Sequence, residues 1–358
     1  MKLFWRNRTR LWCTTVLAGT SLAAPIAAQP FVSWRYGATG SPVSKVAIAQ
    51  LKTDWVVTAA VNGNHDFAIH SYEKSADSNK LIRKDAAATG EVKDVKLAGL
   101  DSSHVLAAMI NSSGLLQLRV WHVDSAGHLT RLGTSFGTSC KTVSVTALSS
   151  KQAVTAVTDS LGRLQVDAWE ITSSGDIIEE GSVTDVAVTQ AAIAAIGNAE
   201  VFVAARNSAG DLLMESWFVS SAGTVTFQHE ATAGGIDQVD ISGGLGYAFT
   251  GLRNGSGKIE MILWNTDASG NIIRQESASA ESIQRVAVYA NVTVAEDSSG
   301  NMTVGMWGDQ GTFEQEATAI HGTANLIGIA PLASGLVVTA SRNSSGDFAV
   351  NVWKYGFH

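Results

Sequence analysis

Cysteine is almost absent from this chain of 358 residues, which contains two, Cys13 and Cys140. Cys13 lies in an N-terminal segment that we expect to be removed, so no disulfide within the mature chain is expected and a packed core must stabilise the fold. Cys140 lies in an alternating apolar run and is predicted to be a small core residue rather than a nucleophile. Amphipathic helical patterns of useful length are also missing, which argues against helical fold classes.

Residues 1–28 have the pattern of a secretory signal peptide. Four basic residues within 2–10 precede a mostly apolar run, 11–22, and the small residues "AAPIAA" follow at 23–28. The apolar run is shorter than the roughly 20 helical residues that span a bilayer. We therefore expect a cleaved Sec-type signal, a secreted or periplasmic protein without membrane insertion, and one mature domain, 29–358.

Positive charge is in the minority. Lysine and arginine number 25 against 32 acidic residues, a formal net charge of −7, and removing the four positive charges of residues 1–28 takes it to −11. Such a surface repels phosphate backbones and anionic lipids, so no nucleic-acid partner is expected. We expect a monomer.

What the chain does contain is an internal repeat. The phrase "VVTASRNSSGDFAVNVW" (337–353) consists of an apolar run, a small polar turn, an alternating run and an aromatic residue, and six looser copies precede it. Such internal repeats indicate structural units that each bury their faces against the neighbouring units. The aromatic residues that close the copies are Tyr72, Trp121, Trp169, Trp217, Trp264, Trp307 and Trp353.

Each repeat contains four short runs rich in Val, Ile and Thr, separated by turns of Asn, Asp, Ser and Gly. This pattern predicts an all-β fold of four antiparallel strands per repeat. Seven such repeats predict a seven-bladed β-propeller, with strands a to d running from the innermost to the outermost. The last copy supplies three strands, so "PFVSWRYG" (30–37) is predicted to be its fourth, which closes the ring by pairing the N-terminal strand with the C-terminal blade and hides sheet edges. The closing aromatics are predicted to pack between blades rather than to stack on sugars.

The strand order, the small polar turn, the closing aromatic and the terminal strand pairing resemble WD-type seven-bladed propellers and propeller lectins. The resemblance covers nearly all of residues 30–358 and implies this architecture. The Trp-Asp and Gly-His signatures of WD repeats are missing, since Trp121 and Trp169, for example, are followed by His122 and Glu170. No functional residue is therefore transferred from these families.

Departures from the repeat mark the candidate site at the mouth formed by the b–c turns and the d–a connections. His65 stands where the other turns have glycine, and His321 lies in the connection "ATAIHGTAN" (317–325), so the two are candidates for proton exchange, with Glu296 as a further catalytic candidate. The predicted ligand-binding residues are Asp66, Arg206, Arg253 and Arg342. Arginine at such a mouth favours an anionic or polyhydroxylated ligand, including a glycan.

Three functions remain open at this point. A binding or interaction module with one asymmetric polar pocket is favoured, a propeller enzyme of the lactonase, lyase or cyclase kind is the alternative, and a structural scaffold is the third. The competing interpretation of the mouth is that arginines and Glu296 satisfy one another and that His65 is a tolerated turn residue. No compact His, Asp or Glu spacing indicates a metal, and no cofactor motif is present.

Overall fold

The computed structural model describes residues 29–309 and 313–357, and every regular element within them is a β-strand. The predicted signal peptide, 1–28, lies outside the described residues. No helix in the described part of the chain is long and apolar enough to cross a membrane. The strands are β1 (Pro30–Pro42), β2 (Lys45–Lys52), β3 (Trp55–Val61), β4 (Asp66–Lys74), β5 (Leu81–Gly99), β6 (His104–Asn111), β7 (Leu115–Val123), β8 (Leu129–Ser149), β9 (Gln152–Asp159), β10 (Arg163–Ile171), β11 (Ile177–Ala195), β12 (Glu200–Asn207), β13 (Asp211–Val219), β14 (Val225–Gly244), β15 (Tyr247–Asn254), β16 (Lys258–Thr266), β17 (Ile272–Tyr289), β18 (Val292–Asp297), β19 (Asn301–Asp309), β20 (Phe313–Thr323), β21 (Leu326–Ala333), β22 (Leu336–Arg342) and β23 (Asp347–Phe357).

All strand pairings are antiparallel, which confirms the predicted all-β class. A four-stranded sheet has the order β1-β23-β22-β21, and the other nineteen strands are linked by successive pairings. Within that series the pairings form groups of four. Group 1 contains β2, β3, β4 and the first half of β5; group 2 contains the second half of β5, β6, β7 and the first half of β8. Groups 3 to 6 continue in the same way to β20, and the four-stranded sheet is group 7.

The two ends of the described chain meet in group 7. β1 pairs with β23 so that Trp34 lies opposite Trp353 and Thr39 lies opposite Ala349. This is the predicted pairing of the N-terminal strand with the last repeat.

The sequence prediction of separate short outer and inner strands is wrong at five junctions. β5, β8, β11, β14 and β17 are single strands of 18 to 21 residues. The first half of each strand pairs within one group, and the second half pairs within the next. The change occurs near a register shift, which for β5 lies where it pairs with Asp66 and Ala68 of β4. No turn residues are needed at these junctions, because the chain continues in extended conformation from the fourth strand of one group into the first strand of the next.

The polar turns between the second and third strands of each group have the predicted chemistry. Asn111 Oδ1 accepts from Leu115 N at 3.0 Å, and Gly114 takes a φ of +80°, which glycine adopts without strain. The carbonyl of Gly114 then accepts from Cys140 N at 2.9 Å, at the start of the next group's first strand. His65 occupies the equivalent place in group 1, with a φ of +69°, and its carbonyl accepts from Val92 N at 2.8 Å.

The closing aromatics are buried between groups, as predicted. The six tryptophans are at most 2% exposed. Four of them donate their indole N–H to a threonine on the neighbouring strand, as Trp169 does to Thr155 at 2.9 Å. Each tryptophan therefore buries a large apolar ring without leaving its one polar group unsatisfied at these four positions.

The first strands of the groups contact one another in succession, and β21 of group 7 contacts β2 of group 1. A cavity of about 170 Å³ is lined by residues from all seven of these strands, among them Lys96 and Asp240. Side chains also link adjacent first strands, as where Val288 N donates to Asp240 Oδ2 at 2.9 Å and Gln238 Nε2 donates to the Val286 carbonyl at 3.1 Å. Several polar residues of the first strands thus join neighbouring groups.

Candidate functional site: the closure cavity

The predicted arginines are engaged with backbone carbonyls. Arg206 Nε donates to the Ile236 carbonyl at 2.5 Å, and Arg253 Nε donates to the Ile283 carbonyl at 2.8 Å. In both cases the acceptor is the carbonyl of the residue that begins the next group's first strand. Each arginine therefore connects two groups. Arg253 also pairs with Asp237.

Arg342 occupies the same position in group 7, and its Nε is buried with no hydrogen-bond partner in the part of the chain that the structure describes. Glu296 pairs with Arg285 at 3.1 Å. The structure therefore supplies local partners for Arg206, Arg253 and Glu296, although these arginines do not pair with Glu296 as the competing interpretation has it. Their roles in binding or catalysis stay predictions.

The two predicted histidines lie in different surroundings. The side chain of His65 is exposed in its turn. His321 lies within β20 rather than in a connection, and its ring stacks on Trp34 with centroids 4.2 Å apart and planes 19° apart. Trp353 meets the same ring edge-on at 6.1 Å. His321 thus packs between groups 6 and 7, and proton exchange by either histidine stays a prediction.

A cavity of about 630 Å³ lies between group 7 and group 1, and we call it the closure cavity. One wall consists of residues 38–43, at the C-terminal end of β1, together with Phe348 and Val350 of β23. The other wall comes from β3, β4 and β5 of group 1. The side chains that give it chemical character are Asp66, His70, Tyr72, Arg83 and Thr89.

The sequence of β4 explains why this interface is hollow. On the third strand of each group, the residues two and four positions before the closing aromatic face the preceding group. In group 1 these residues are His70 and Ala68, which precede Tyr72. In group 4 the same positions hold Leu213 and Glu215 before Trp217, which pack against group 3. Small residues on β1, including Gly40, leave the opposite wall equally shallow.

His70 is the central polar residue of the closure cavity. Its ring stacks on Phe348, with centroids 6.1 Å apart and planes 22° apart, and its Nδ1 is buried without a hydrogen-bond partner among the described residues. Burial, with a smaller contribution from the positive charge of Arg83, lowers the pKa of His70 to about 4. The imidazole is therefore neutral at pH 7.

Tyr72 and Arg83 stand beside each other on paired strands. Burial raises the pKa of Tyr72, so its phenol stays protonated at neutral pH. Arg83 is exposed on the outer strand and brings a positive charge to this end of the cavity. The pair offers a charged donor and a neutral hydroxyl next to His70.

Asp66 lies near the other end of the third strand, beside the turn. Its Oδ2 accepts from Asn62 Nδ2 at 2.8 Å, which holds the carboxylate in place. Of the residues predicted from the sequence, Asp66 alone is among those that line the closure cavity. His70, Tyr72 and Arg83 were missed, although tyrosine in place of tryptophan at a closing position was a visible signal.

The described residues contain no cluster of three or more His, Cys, Asp or Glu side chains that could hold a metal ion. Cys140 is buried, and burial raises the pKa of its thiol to about 12, so it stays protonated at neutral pH. The titratable side chains that line the closure cavity are His70, Tyr72, Arg83 and Asp66.

Comparison with known proteins adds information on the fold alone. No family model matches the chain, and no curated protein matches it. A solved structure of a protein from Lactobacillus plantarum, a structural-genomics target, is similar with a TM-score of 0.54 and 12% identity. The match covers 79% of this chain and 89% of that one. The chain therefore has an all-β fold with a structural neighbour.

Proposed function

We propose that the protein is a secreted seven-bladed β-propeller that binds a small polar or anionic ligand in the closure cavity. The seven groups of strands are its blades, and β1 is the fourth strand of the last blade. The contact series of first strands that returns from β21 to β2, and the small cavity lined by all seven of them, support this architecture.

The observation that carries the binding proposal is a cavity of about 630 Å³ whose lining includes His70, Tyr72, Arg83 and Asp66. The volume lies in the range of roughly 300–1,000 Å³ that small-ligand pockets occupy.

Charge supports a polar or anionic ligand. Arg83 sits at one end of the cavity in a protein whose net charge is negative, and its guanidinium is free to orient a carboxylate or phosphate in a two-point contact. Phe348 and the ring of His70 form an apolar, flat surface behind this charge. The ligand we propose therefore combines an acidic or hydroxyl-rich group with a body small enough to lie against these rings.

The test is a thermal-shift screen of the mature protein with small carboxylates, phosphates and sugars. Arg83→Gln is the variant, and Arg131→Gln is its matched control, because Arg131 lies opposite Trp121 as Arg83 lies opposite Tyr72. We expect at least one compound to raise the melting temperature of the wild type and of R131Q, and to raise that of R83Q less. If no compound class stabilises the wild type, the binding proposal is wrong and the scaffold alternative is favoured.

A further inference from the structure

A second cavity, of about 590 Å³, lies between groups 5 and 6 and has a different chemistry. Three aromatic rings stand at its surface: Tyr247, Phe249 and Phe313. Trp307 lies beneath them, fully buried. We call this the aromatic cavity. It shares no lining residue with the closure cavity.

The rings of the aromatic cavity form one contiguous cluster. Tyr247 meets Phe249 edge-on at 81° with centroids 5.8 Å apart, and Phe249 lies nearly parallel to Phe313 at 6.5 Å. Phe313 in turn lies 6.3 Å from Trp307. Tyr247 is 40% exposed, so the group of rings is open to solvent. Aromatic faces carry partial negative charge and attract cations that lie over them.

Glu276 is the charged residue among the described residues that line the aromatic cavity. It lies on β17, opposite Leu263 on β16, and is half-buried. Within the described ranges, no lysine, arginine or histidine lies within ion-pairing distance of it; the nearby Arg274 pairs with Glu260 instead, at 2.8 Å. The carboxylate is thus available to a ligand.

Two further polar side chains of the aromatic cavity have partners among the described residues. Asn265 Oδ1 accepts from Gln275 Nε2 at 2.8 Å, and Asn291 Nδ2 donates to the Trp307 carbonyl at 2.6 Å. A bare metal ion needs several oxygen ligands, and one carboxylate does not supply them.

We propose that the aromatic cavity binds an organic cation, a substituted ammonium group whose alkyl substituents contact Tyr247, Phe249 and Phe313 while Glu276 neutralises its charge. Such a group is weakly hydrated, so it enters an aromatic surface at low desolvation cost, and aromatic cages recognise it in this way. The inference does not depend on the closure cavity or its ligand.

The experiment compares choline with 3,3-dimethylbutan-1-ol, its neutral carbon isostere, by titration calorimetry on the full mature protein. The variants are Glu276→Gln and, as a matched control on the same strand, Glu281→Gln, which removes the same charge outside the cavity. Phe249→Leu tests the ring while keeping an apolar side chain. Circular dichroism and melting temperature establish that each variant is folded.

We expect choline to bind the wild type and E281Q equally, and to bind the wild type at least about tenfold more tightly than the isostere does. E276Q and F249L are each expected to weaken choline binding by about tenfold or more. The proposal is overturned if choline, tetramethylammonium and phenyltrimethylammonium all fail to bind, if the isostere binds as well as choline, or if folded E276Q binds choline like the wild type.

Discussion

The interface between groups 7 and 1 and the interface between groups 3 and 4 are built on the same strand register but are filled differently. Between groups 3 and 4, Leu213, Glu215 and Trp217 fill the space, and the indole N–H of Trp217 donates to Glu215 at 3.0 Å. Between groups 7 and 1, Ala68 and His70 leave a cavity. The difference indicates that the side chains on the third strand, together with the residues that face them from the preceding group, decide whether an interface is packed or hollow.

The largest expected effect is on the free energy of unfolding, at the packed interface between groups 3 and 4. Trp217→Ala should lower the free energy of unfolding by about 3–5 kcal/mol, because it removes a fully buried ring and leaves a void. Tyr72→Ala should cost less, since Tyr72 already borders a cavity. Urea unfolding of both variants measures the contrast. W217A should retain ligand binding; lost binding with unchanged stability would count against the packing role of the tryptophan.

The next effect is the pH dependence that Glu215 imposes. Burial, with repulsion from Asp185 and Glu230, raises the pKa of Glu215 from 4.5 to about 7, and its Oε1 is buried without a partner. The folded state therefore holds a proton that the unfolded state releases above its pKa of about 4.3. Stability from this group is present below that value and is lost as the pH rises towards 7, on the order of 3 kcal/mol.

Glu215→Gln should flatten this slope, measured as the free energy of unfolding in urea between pH 5 and pH 8. Glu281→Gln serves as the control and should keep the wild-type slope. An unchanged slope in E215Q would show that Glu215 titrates normally in the folded protein.

Filling the closure cavity should change the stability by a smaller amount and in the opposite direction. Ala68→Leu introduces at the closure cavity the residue that group 4 has at Leu213, and should stabilise the protein by about 1 kcal/mol while abolishing ligand-induced stabilisation. Ala349→Leu places the same side chain at the equivalent position of group 7, where Ala349 is 7% exposed, and should destabilise by about 1–3 kcal/mol through overpacking. Melting curves of the two variants should therefore shift in opposite directions; equal shifts would mean that the two interfaces do not differ.

The smallest effect concerns the turn at the top of the closure cavity. His65 has a φ of +69°, where side chains other than glycine are strained, so His65→Gly should stabilise by about 1 kcal/mol or less. Gly114→His, at the equivalent turn of group 2, should destabilise by a similar amount. A ligand-binding loss in H65G would instead support the predicted functional role of His65.

The sequence predicted the turns and the closing aromatics because each depends on local chemistry repeated along the chain. It predicted the pairing of β1 with β23 because the last copy supplies three strands and lacks a fourth. Gly114 and Trp217 occur at fixed places in their copies, and a repeat makes such places visible. The continuous strands such as β8 were not predicted, since nothing in the residues distinguishes a bend from an extended crossing.

The closure cavity could not be predicted because it depends on residues far apart in the chain. The position of His70 is occupied by Arg119, Asp167, Glu215 and Asn351 in other copies, so a polar residue there was unremarkable. Its emptiness depends on Phe348 and on the small residues of β1, which face it only after the two ends of the fold meet. The arginine-to-carbonyl contacts of Arg206 and Arg253 are likewise invisible in a sequence.

The closure cavity exists only if β1 completes group 7, and a double-cysteine variant tests this most directly. Ser33 and Lys354 are paired across β1 and β23, so Ser33→Cys with Lys354→Cys should form a disulfide under mild oxidation, while Cys140 stays a buried thiol. Intact mass and thiol titration of the unfolded protein should then find one free thiol. Three free thiols, with the variant folded, would contradict the pairing and remove the wall on which the proposed ligand site depends.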